Sequence, residues 1–294
     1  MHRPDNLTND FLRLTVDPDH GASMNAFAVQ KAGRWLALTP EARPGFLMIP
    51  YSNRIEHGRF TFAGQSYQLA NGENHAIHGD ARGRPWMVLE ADATHLCCGL
   101  STVACPDRNW PWPYEARVEY HLVGDTLRSR LVLWNRGETA MPAGFGWHPF
   151  YNRALTRPGE PVFLRMAAQY VYPDAHGNRI PSGPPGPIPA ALDFSQARPL
   201  EPDHFLDTCF AGYDGAGHIE WPESGVRLGF RCTPACTHLV IYNPRAQPFF
   251  AIEPVTNANN GVNLYGRDEM RSGIVRLLPG ETLAAEFAQQ VVCM

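Results

Sequence analysis

Apolar and polar residues alternate with a two-residue period through most of the chain, in short stretches separated by Gly, Pro, Asn or Asp. Because successive side chains of a strand point to opposite faces of a sheet, this pattern predicts β-strands. Stretches with helical periodicity are few. The predicted strands are Phe11–Asp17, Gln65–Leu69, Ala116–Leu122, Thr126–Asn135, Gly225–Cys232, His238–Tyr242, Phe249–Glu253, Gly273–Leu278 and Thr282–Val292.

Turn-forming residues lie between several of these strands. Val123-Gly124-Asp125, Asn135-Arg136-Gly137-Glu138 and Pro279-Gly280-Glu281 predict meander-like hairpins. The proline-rich stretch Pro181–Pro189 is interpreted as a surface excursion rather than a linker, because strand-like segments on both sides carry related chemistry. We therefore predict one all-β domain, residues 1–294, built as a large antiparallel β-sandwich.

Composition narrows the possible partners. The chain has 294 residues, a formal net charge of −4 and 44% hydrophobic residues, which suits a globular protein with no net attraction for nucleic acid or anionic membranes. No signal-peptide pattern and no run of about 18 apolar residues is present, so we expect a cytoplasmic location. Seven cysteines without CxxC units are expected to be reduced core residues.

Two stretches each place one titratable residue among apolar and aromatic neighbours. They are GFGWHPF, which contains His148, and FFAIEPVT, which contains Glu253. A buried histidine bonded to a carbonyl, or a glutamate paired with an arginine, would explain either residue alone. However, Pro149 and Pro254 directly follow them, and proline marks a strand end or bulge that can aim a side chain into a cleft. The pair is therefore a candidate acid and base, with His148 charged and Glu253 ionised in one state.

Three further clusters place single polar groups among aromatic or small residues: Arg54 in NRI, His78 in HAIHG and Asp207 in LDTCF. Aromatic faces with a few charged groups are typical of a sugar site. Taken singly, Arg54 could be a structural ion-pair partner and Asp207 a turn or cap residue. The HxxH spacing of His75 and His78 is weak evidence for a metal, since no cysteine or carboxylate partner is near in the sequence, and no metal site is predicted.

The order NRI, HAIHG, GWHPF, LDTCF and AIEP resembles the aldose 1-epimerases, also called galactose mutarotases, from about Asn53 to the carboxyl terminus. The resemblance implies a large twisted sandwich of the galactose mutarotase-like supersandwich type, with a monosaccharide bound in a cleft on one sheet. It implies no metal and no organic cofactor. It assigns the general acid to His148, the general base to Glu253 and sugar binding to Arg54, His78 and Asp207.

The resemblance implies an isomerase that interconverts α and β anomers by opening and reclosing the sugar ring. One alternative is an anionic substrate, phosphorylated or sulfonated. The loop HGDARGRPW, residues 78–86, partly resembles the HGFAR element of glucose-6-phosphate 1-epimerases. Arg82 and Arg84, with Arg59, would bind the anion unless they are solvated loop residues.

Another alternative is a non-catalytic sugar-binding or sugar-sensing module. A glycoside hydrolase would need a second carboxylate. We expect a monomer or a weak homodimer.

Overall fold

The computed structural model describes residues 5–70, 72–266 and 269–294, and these segments are built almost entirely of strands. The strands are β1 Asp5–Thr8, β2 Leu12–Asp17, β3 Ser23–Lys31, β4 Arg34–Ala37, β5 Phe46–Met48, β6 Arg54–Ile55, β7 Arg59–Phe62, β8 Gln65–Gln68, β9 Ala76–Ile77, β10 Met87–Ala91, β11 His95–Ser101, β12 Tyr114–Val123, β13 Thr126–Asn135, β14 Met141–Ala143, β15 Gly146–His148, β16 Phe150–Asn152, β17 Phe163–Met166, β18 Tyr170–Val171, β19 Gly186–Pro187, β20 Arg198–Pro199, β21 Leu206–Ala211, β22 Ala216–Trp221, β23 Val226–Cys232, β24 His238–Asn243, β25 Phe249–Val255, β26 Val275–Leu277 and β27 Thr282–Cys293.

Helices are short. The α-helices in the described segments are α1 (Gly261–Tyr265) and α2 (Glu269–Ser272). Single 3₁₀ turns lie at Pro18–His20, Glu56–Gly58, Gly72–Asn74 and Ala190–Leu192. Each of the nine strands predicted from the sequence overlaps an observed strand, so the all-β prediction is confirmed.

The strands form two large antiparallel sheets that pack as a sandwich. The nine-stranded sheet has the order β10-β11-β12-β13-β27-β23-β22-β17-β20, and the eight-stranded sheet has the order β19-β18-β21-β24-β25-β15-β5, with β16 also pairing with β25. Side chains join the sheets: the rings of Trp147 and Phe287 lie 5.7 Å apart, and the Tyr151 hydroxyl donates to Gln289 Oε1 at 2.7 Å. A four-stranded sheet, β1-β2-β3-β4, and three two-stranded sheets complete the fold.

Along the strands, buried and exposed residues alternate in the same way as the apolar and polar residues of the sequence. In β12 every second residue, from Tyr114 to Leu122, is buried, because those side chains face the interior and release apolar surface from water. In contrast, all seven residues of β25 are buried. This strand lies in the middle of the eight-stranded sheet and is covered on both faces, which explains its nearly continuous apolar sequence.

The predicted turns have mixed outcomes. Gly124 and Asp125 connect β12 to β13 as a two-residue hairpin, as predicted. The other two hairpin predictions are wrong, because β14 and β26 pair with each other in a separate small sheet while β13 pairs with β27. Residues 136–140 and 278–281 therefore lead from one sheet to another. Sequence patterns mark such turns but do not specify which strands become neighbours.

The cysteine prediction needs one correction. All seven thiols are unpaired, but Cys105 is half-buried and Cys293 is exposed, so these two are not core residues. In the described segments, no helix has the length and apolarity needed to cross a membrane.

Candidate active site

His148 and Glu253 are neighbours across two strands. Strands β15 and β16 both pair with β25, in a register given by Gly146 opposite Val255 and Phe150 opposite Ala251. Pro149 interrupts the strand between these pairs but keeps the register, so His148 lies opposite Glu253. The preceding Trp147 points to the nine-stranded sheet, and His148 therefore faces the other side. His148 Nε2 lies 3.2 Å from Glu253 Oε1.

The pair is enclosed by aromatic rings. His148 is 6% exposed and Glu253 is 2% exposed. The Phe46 ring stacks on the imidazole with a centroid distance of 4.4 Å, and the Phe150 ring lies 4.5 Å away. Phe46 was not predicted from the sequence, because the strand that carries it is only three residues long and its pairing with β15 is not visible in the sequence.

Burial shifts the pKa of each residue in the direction that favours its neutral form. Burial lowers the pKa of His148 to about 3. Burial, and then the charge of Asp207, raise the pKa of Glu253 well above its ordinary value. The pair therefore holds one proton that can lie on the carboxyl or on the imidazole. Both arrangements contain the same number of protons, so the expected charged pair is reached by transferring this proton between two atoms that lie 3.2 Å apart.

Two polar atoms of the pair have no hydrogen-bond partner within the described part of the chain. They are His148 Nδ1 and Glu253 Oε2. A buried polar atom without a partner costs about 1–3 kcal/mol, and such atoms in native proteins call for a functional explanation. A hydroxyl-rich ligand could bond to them.

Asp207 lies on the Glu253 side of the site and is held by two arginines. Arg179 Nε donates to Asp207 Oδ2 at 2.9 Å, and Arg54 Nη2 lies 3.9 Å from the same oxygen. Asp174 and the side chain of Asn259 fix Arg179 in turn, at 3.1 and 3.0 Å. Arg179 was not predicted from the sequence, where its only signal is its position two residues before the proline-rich excursion. A cavity of about 270 Å³ borders this cluster.

His78 lies on the opposite side, against His148. The two imidazoles meet edge to face at 5.2 Å, and His78 Nδ1 lies 3.0 Å from the sulfur of Met48. Burial, followed by the charge of His148, lowers the pKa of His78 well below its usual value, which favours a neutral ring. The next residue must be glycine: Gly79 has φ +73°, and a Cβ there would lie 1.9 Å from the Ile49 oxygen.

The structure thus brings Arg54, His78, His148, Asp207 and Glu253 to one face of the eight-stranded sheet. His75, in contrast, is directed elsewhere, and its Nδ1 accepts from the backbone N–H of His57. Among the described residues, no group of three or more His, Cys, Asp or Glu side chains is placed to hold a metal ion.

The three loop arginines considered for an anion have different surroundings. Arg84 is fully engaged, with Nη2 donating to Asp80 at 3.0 Å and Nη1 to Asp107 at 3.1 Å. Arg59 donates to Gln68 on β8. Arg82 alone approaches the acid–base pair, with its guanidinium 4.0 Å from the centre of the Phe46 ring.

Fold and site together define a β-sandwich protein with a buried histidine–glutamate pair on the face of one sheet. The family model of aldose 1-epimerases matches residues 7–290, and the chain belongs to that family. It is 28% identical to the uncharacterized protein YphB of Escherichia coli K12, over 97% of each chain.

Solved structures agree with this assignment. A crystal structure of a candidate aldose 1-epimerase from Escherichia coli K12 superposes with a TM-score of 0.85 at 25% identity, covering 99% of both chains. A galactose mutarotase-like protein from Clostridium acetobutylicum superposes with a TM-score of 0.84 at 15% identity, covering 98% of this chain and 95% of that one. The latter likeness shows the shared fold.

Proposed function

We propose that this protein is an aldose 1-epimerase that interconverts the α and β anomers of an aldose, with His148 and Glu253 as its acid–base pair. The observation that carries the proposal is the 3.2 Å separation of His148 Nε2 and Glu253 Oε1 in an aromatic enclosure. The anomeric hydroxyl and the ring oxygen of a pyranose are bonded to the same carbon. An acid and a base that act on both oxygens must therefore be close neighbours.

In the ring-opening step, Glu253 accepts the proton of the anomeric hydroxyl, and the C1–O5 electron pair moves to the ring oxygen. His148 donates its proton there. The products are an open-chain aldehyde, a carboxylic acid and a neutral imidazole. Burial favours the neutral form of both side chains, so the open-chain state returns each group to the form that its surroundings stabilise.

In the ring-closing step the proton roles reverse. Rotation about C1–C2 presents the other face of the carbonyl, the C5 hydroxyl adds to it, His148 takes that proton and Glu253 protonates the new anomeric oxygen. The opposite anomer forms, and the enzyme recovers its starting protonation. Reactant and product are isomers, so the cycle consumes no co-reactant.

Substrate binding is assigned to Arg54, His78 and Asp207. Their polar groups flank the pair, and Arg179 orients the Asp207 carboxylate at 2.9 Å. The carboxylate can accept a sugar hydroxyl proton while Arg54 donates to a neighbouring oxygen. Phe46 and Phe150 supply apolar surface for the sugar.

Optical rotation tests the proposal. Freshly dissolved α-glucose and α-galactose are followed with and without the protein, with protein inactivated by heating as the control. A faster approach to the equilibrium rotation that scales with protein concentration is expected for at least one aldose. Sugar binding without acceleration would overturn the proposal and favour a sugar-sensing module.

A further inference from the structure

Asn259 carries a buried amide oxygen, Oδ1, that has no hydrogen-bond partner within the described part of the chain. The residue is 3% exposed and lies in the segment 256–260, which directly follows β25. The other polar side chains of this segment have oxygens that accept backbone N–H groups, at 2.9 Å for Thr256 Oγ1, 3.1 Å for Asn257 Oδ1 and 3.1 Å for Asn260 Oδ1. Buried amide oxygens are normally bonded, so the exception at Asn259 calls for an explanation.

The orientation of the Asn259 amide is fixed by its other end. Nδ2 donates to the Arg179 carbonyl oxygen at 3.0 Å. A carbonyl oxygen can only accept, so the nitrogen must face Arg179 and the oxygen is the end that remains. The backbone N–H of Asn259 also hydrogen-bonds to the sulfur of Cys209 on β21. Asn259 is thus held from two sides, which gives its unpaired oxygen a defined position.

Asn259 lines the cavity of about 270 Å³ that borders Asp207, and both residues that hold it, Arg179 and Cys209, line the same cavity. The Arg179 guanidinium is engaged by the carboxylates of Asp207 and Asp174, at 2.9 and 3.1 Å. The other polar groups around the cavity are mainly acceptors. A ligand group that enters it must therefore donate hydrogen bonds, as a sugar hydroxyl does.

The order of residues across the sheet indicates which hydroxyl this is. Cys209 and Glu253 lie opposite Val240, on the two sides of β24, and residues that lie opposite one another share a face of the sheet. Asn259, bonded to Cys209, is therefore on the Glu253 side of the pair, away from His148. If His148 acts at the ring oxygen and Glu253 at the anomeric hydroxyl, the carbon beyond them is C2, and its hydroxyl points toward this cavity.

We propose that Asn259 is a specificity-determining residue whose Oδ1 accepts a hydrogen bond from the C2 hydroxyl of the aldose. The proposal rests on the proposed epimerase function and deepens it, because it names the sugar position that the protein recognises. A sugar without a donor on C2 leaves the buried oxygen unpaired. Sites that lose a hydrogen bond in this way discriminate strongly against the analogue.

Anomer-resolved NMR with substrate analogues tests the inference on the wild-type protein. The parent sugar is glucose or galactose, whichever is converted faster, and the probes are its 2-deoxy, 2-deoxy-2-fluoro and 6-deoxy analogues. The readout is kcat/KM divided by the spontaneous rate constant of the same sugar. We expect this quantity to fall by about tenfold or more for the 2-deoxy sugar.

The other two analogues control for size and position. Fluorine replaces the hydroxyl at similar size but cannot donate, so the 2-fluoro sugar should be as poor a substrate as the 2-deoxy sugar. The 6-deoxy sugar lacks a hydroxyl on the opposite side of the ring oxygen, and it should stay within about threefold of the parent.

A variant separates hydroxyl recognition from a purely structural role. Asn259→Leu has a similar volume but no acceptor, and it should lower the parent-to-2-deoxy ratio about tenfold while leaving the parent-to-6-deoxy ratio unchanged. If Asn259 only holds Arg179, the variant would lower kcat/KM by the same factor for every sugar. Asn25→Leu is the control, since Asn25 is a half-buried asparagine on β3 whose Oδ1 accepts from Ser23.

The outcomes distinguish this inference from the proposed function. A 2-deoxy sugar converted within about twofold of the parent, or a 2-fluoro sugar as good as the parent, would overturn the role of Asn259 and leave the epimerase proposal intact. Equal losses for all sugars in Asn259→Leu would do the same. These wild-type measurements decide the question even if Asn259→Leu does not fold, as judged by its Tm. Absence of acceleration with both glucose and galactose would overturn the epimerase proposal as well.

Discussion

His148 Nε2 and Glu253 Oε1 lie 3.2 Å apart although the two residues are separated by 105 positions in the chain. The separation is set by backbone register, because β15 and β16 pair with β25 on both sides of Pro149. The histidine–glutamate pair is therefore built on hydrogen-bonded strands in the middle of a sheet, a support that holds the geometry more firmly than loops would.

The pH profile should be flat on the acid side of neutrality. Burial lowers the pKa of His148 to about 3 and raises that of Glu253, so the pair keeps one proton over a wide range. As pH falls, a second proton binds well below the ordinary imidazole value of 6.5. We expect kcat/KM to change less than about twofold between pH 7 and pH 5. Loss of activity with an apparent pKa near 6.5 would contradict this expectation.

Glu253→Gln should stabilise the fold at neutral pH. Because the folded protein raises the pKa of Glu253, the unfolded chain loses this proton first as pH rises. The Glu253 contribution to stability is therefore present below about pH 4.5 and is lost as pH rises toward the folded pKa. The amide has no such cost.

The measurement is Tm against pH for wild type and Glu253→Gln. The Tm advantage of the variant should grow between pH 4.5 and pH 7. Glu115→Gln is the control, since that carboxylate is half-buried and pairs with Arg136 at the surface, on the opposite sheet from Glu253. A Tm difference that is constant or shrinks with pH would show that Glu253 is ionised without cost in the folded protein.

His148→Asn should lower turnover more than affinity. The amide fills part of the imidazole volume but cannot donate a titratable proton to the ring oxygen, and a positioned acid contributes about 100-fold or more. Steady-state polarimetry should show kcat reduced by that order, with KM within about threefold of wild type. His121→Asn, on the exposed face of β12, is the control. Equal losses of kcat in both variants would contradict the assignment of His148 as the general acid.

Asp207→Ala and Arg54→Ala should impair both KM and kcat. Asp207 is the acceptor that Arg179 and Arg54 share, so its removal leaves Arg54 without its carboxylate, and Arg179 with Asp174 as its acidic partner, as well as losing a sugar contact. We expect KM to rise about tenfold and kcat to fall by a smaller factor. Arg128→Ala, an exposed ion-pair partner on the nine-stranded sheet, should behave as wild type. A change in kcat alone would argue against a binding role.

Much of the fold was predictable from local pattern. Strands such as β13, whose bounds match the prediction, alternate in polarity over ten residues and end in turn-forming residues. Strands β5, β15 and β16 were not predicted, because each has three residues, nearly all buried, without alternation. Strands β15 and β16 depend on pairing with β25, and β5 depends on pairing with β15. These are tertiary contacts that no local pattern shows.

Part of the candidate site was also predictable from the local sequence pattern. His148 and Glu253 were visible because each is a titratable residue followed by proline in an apolar run. Arg179 lies in a polar loop just before the proline-rich excursion, where nothing in the local pattern marks it. Its contact with Asp207 follows from where that loop folds, and loop placement is set by long-range packing.

The rate of anomer exchange by Glu253→Gln decides whether Glu253 is the general base. The amide keeps the shape of the carboxylate but cannot accept the proton of the anomeric hydroxyl. With whichever aldose the wild-type protein converts, we predict that the variant loses about 100-fold or more of the exchange rate, while sugar binding measured by calorimetry persists. Glu223→Gln, an exposed ion-pair partner of Arg157, should exchange at the wild-type rate. Exchange by Glu253→Gln at a near-wild-type rate would contradict the account.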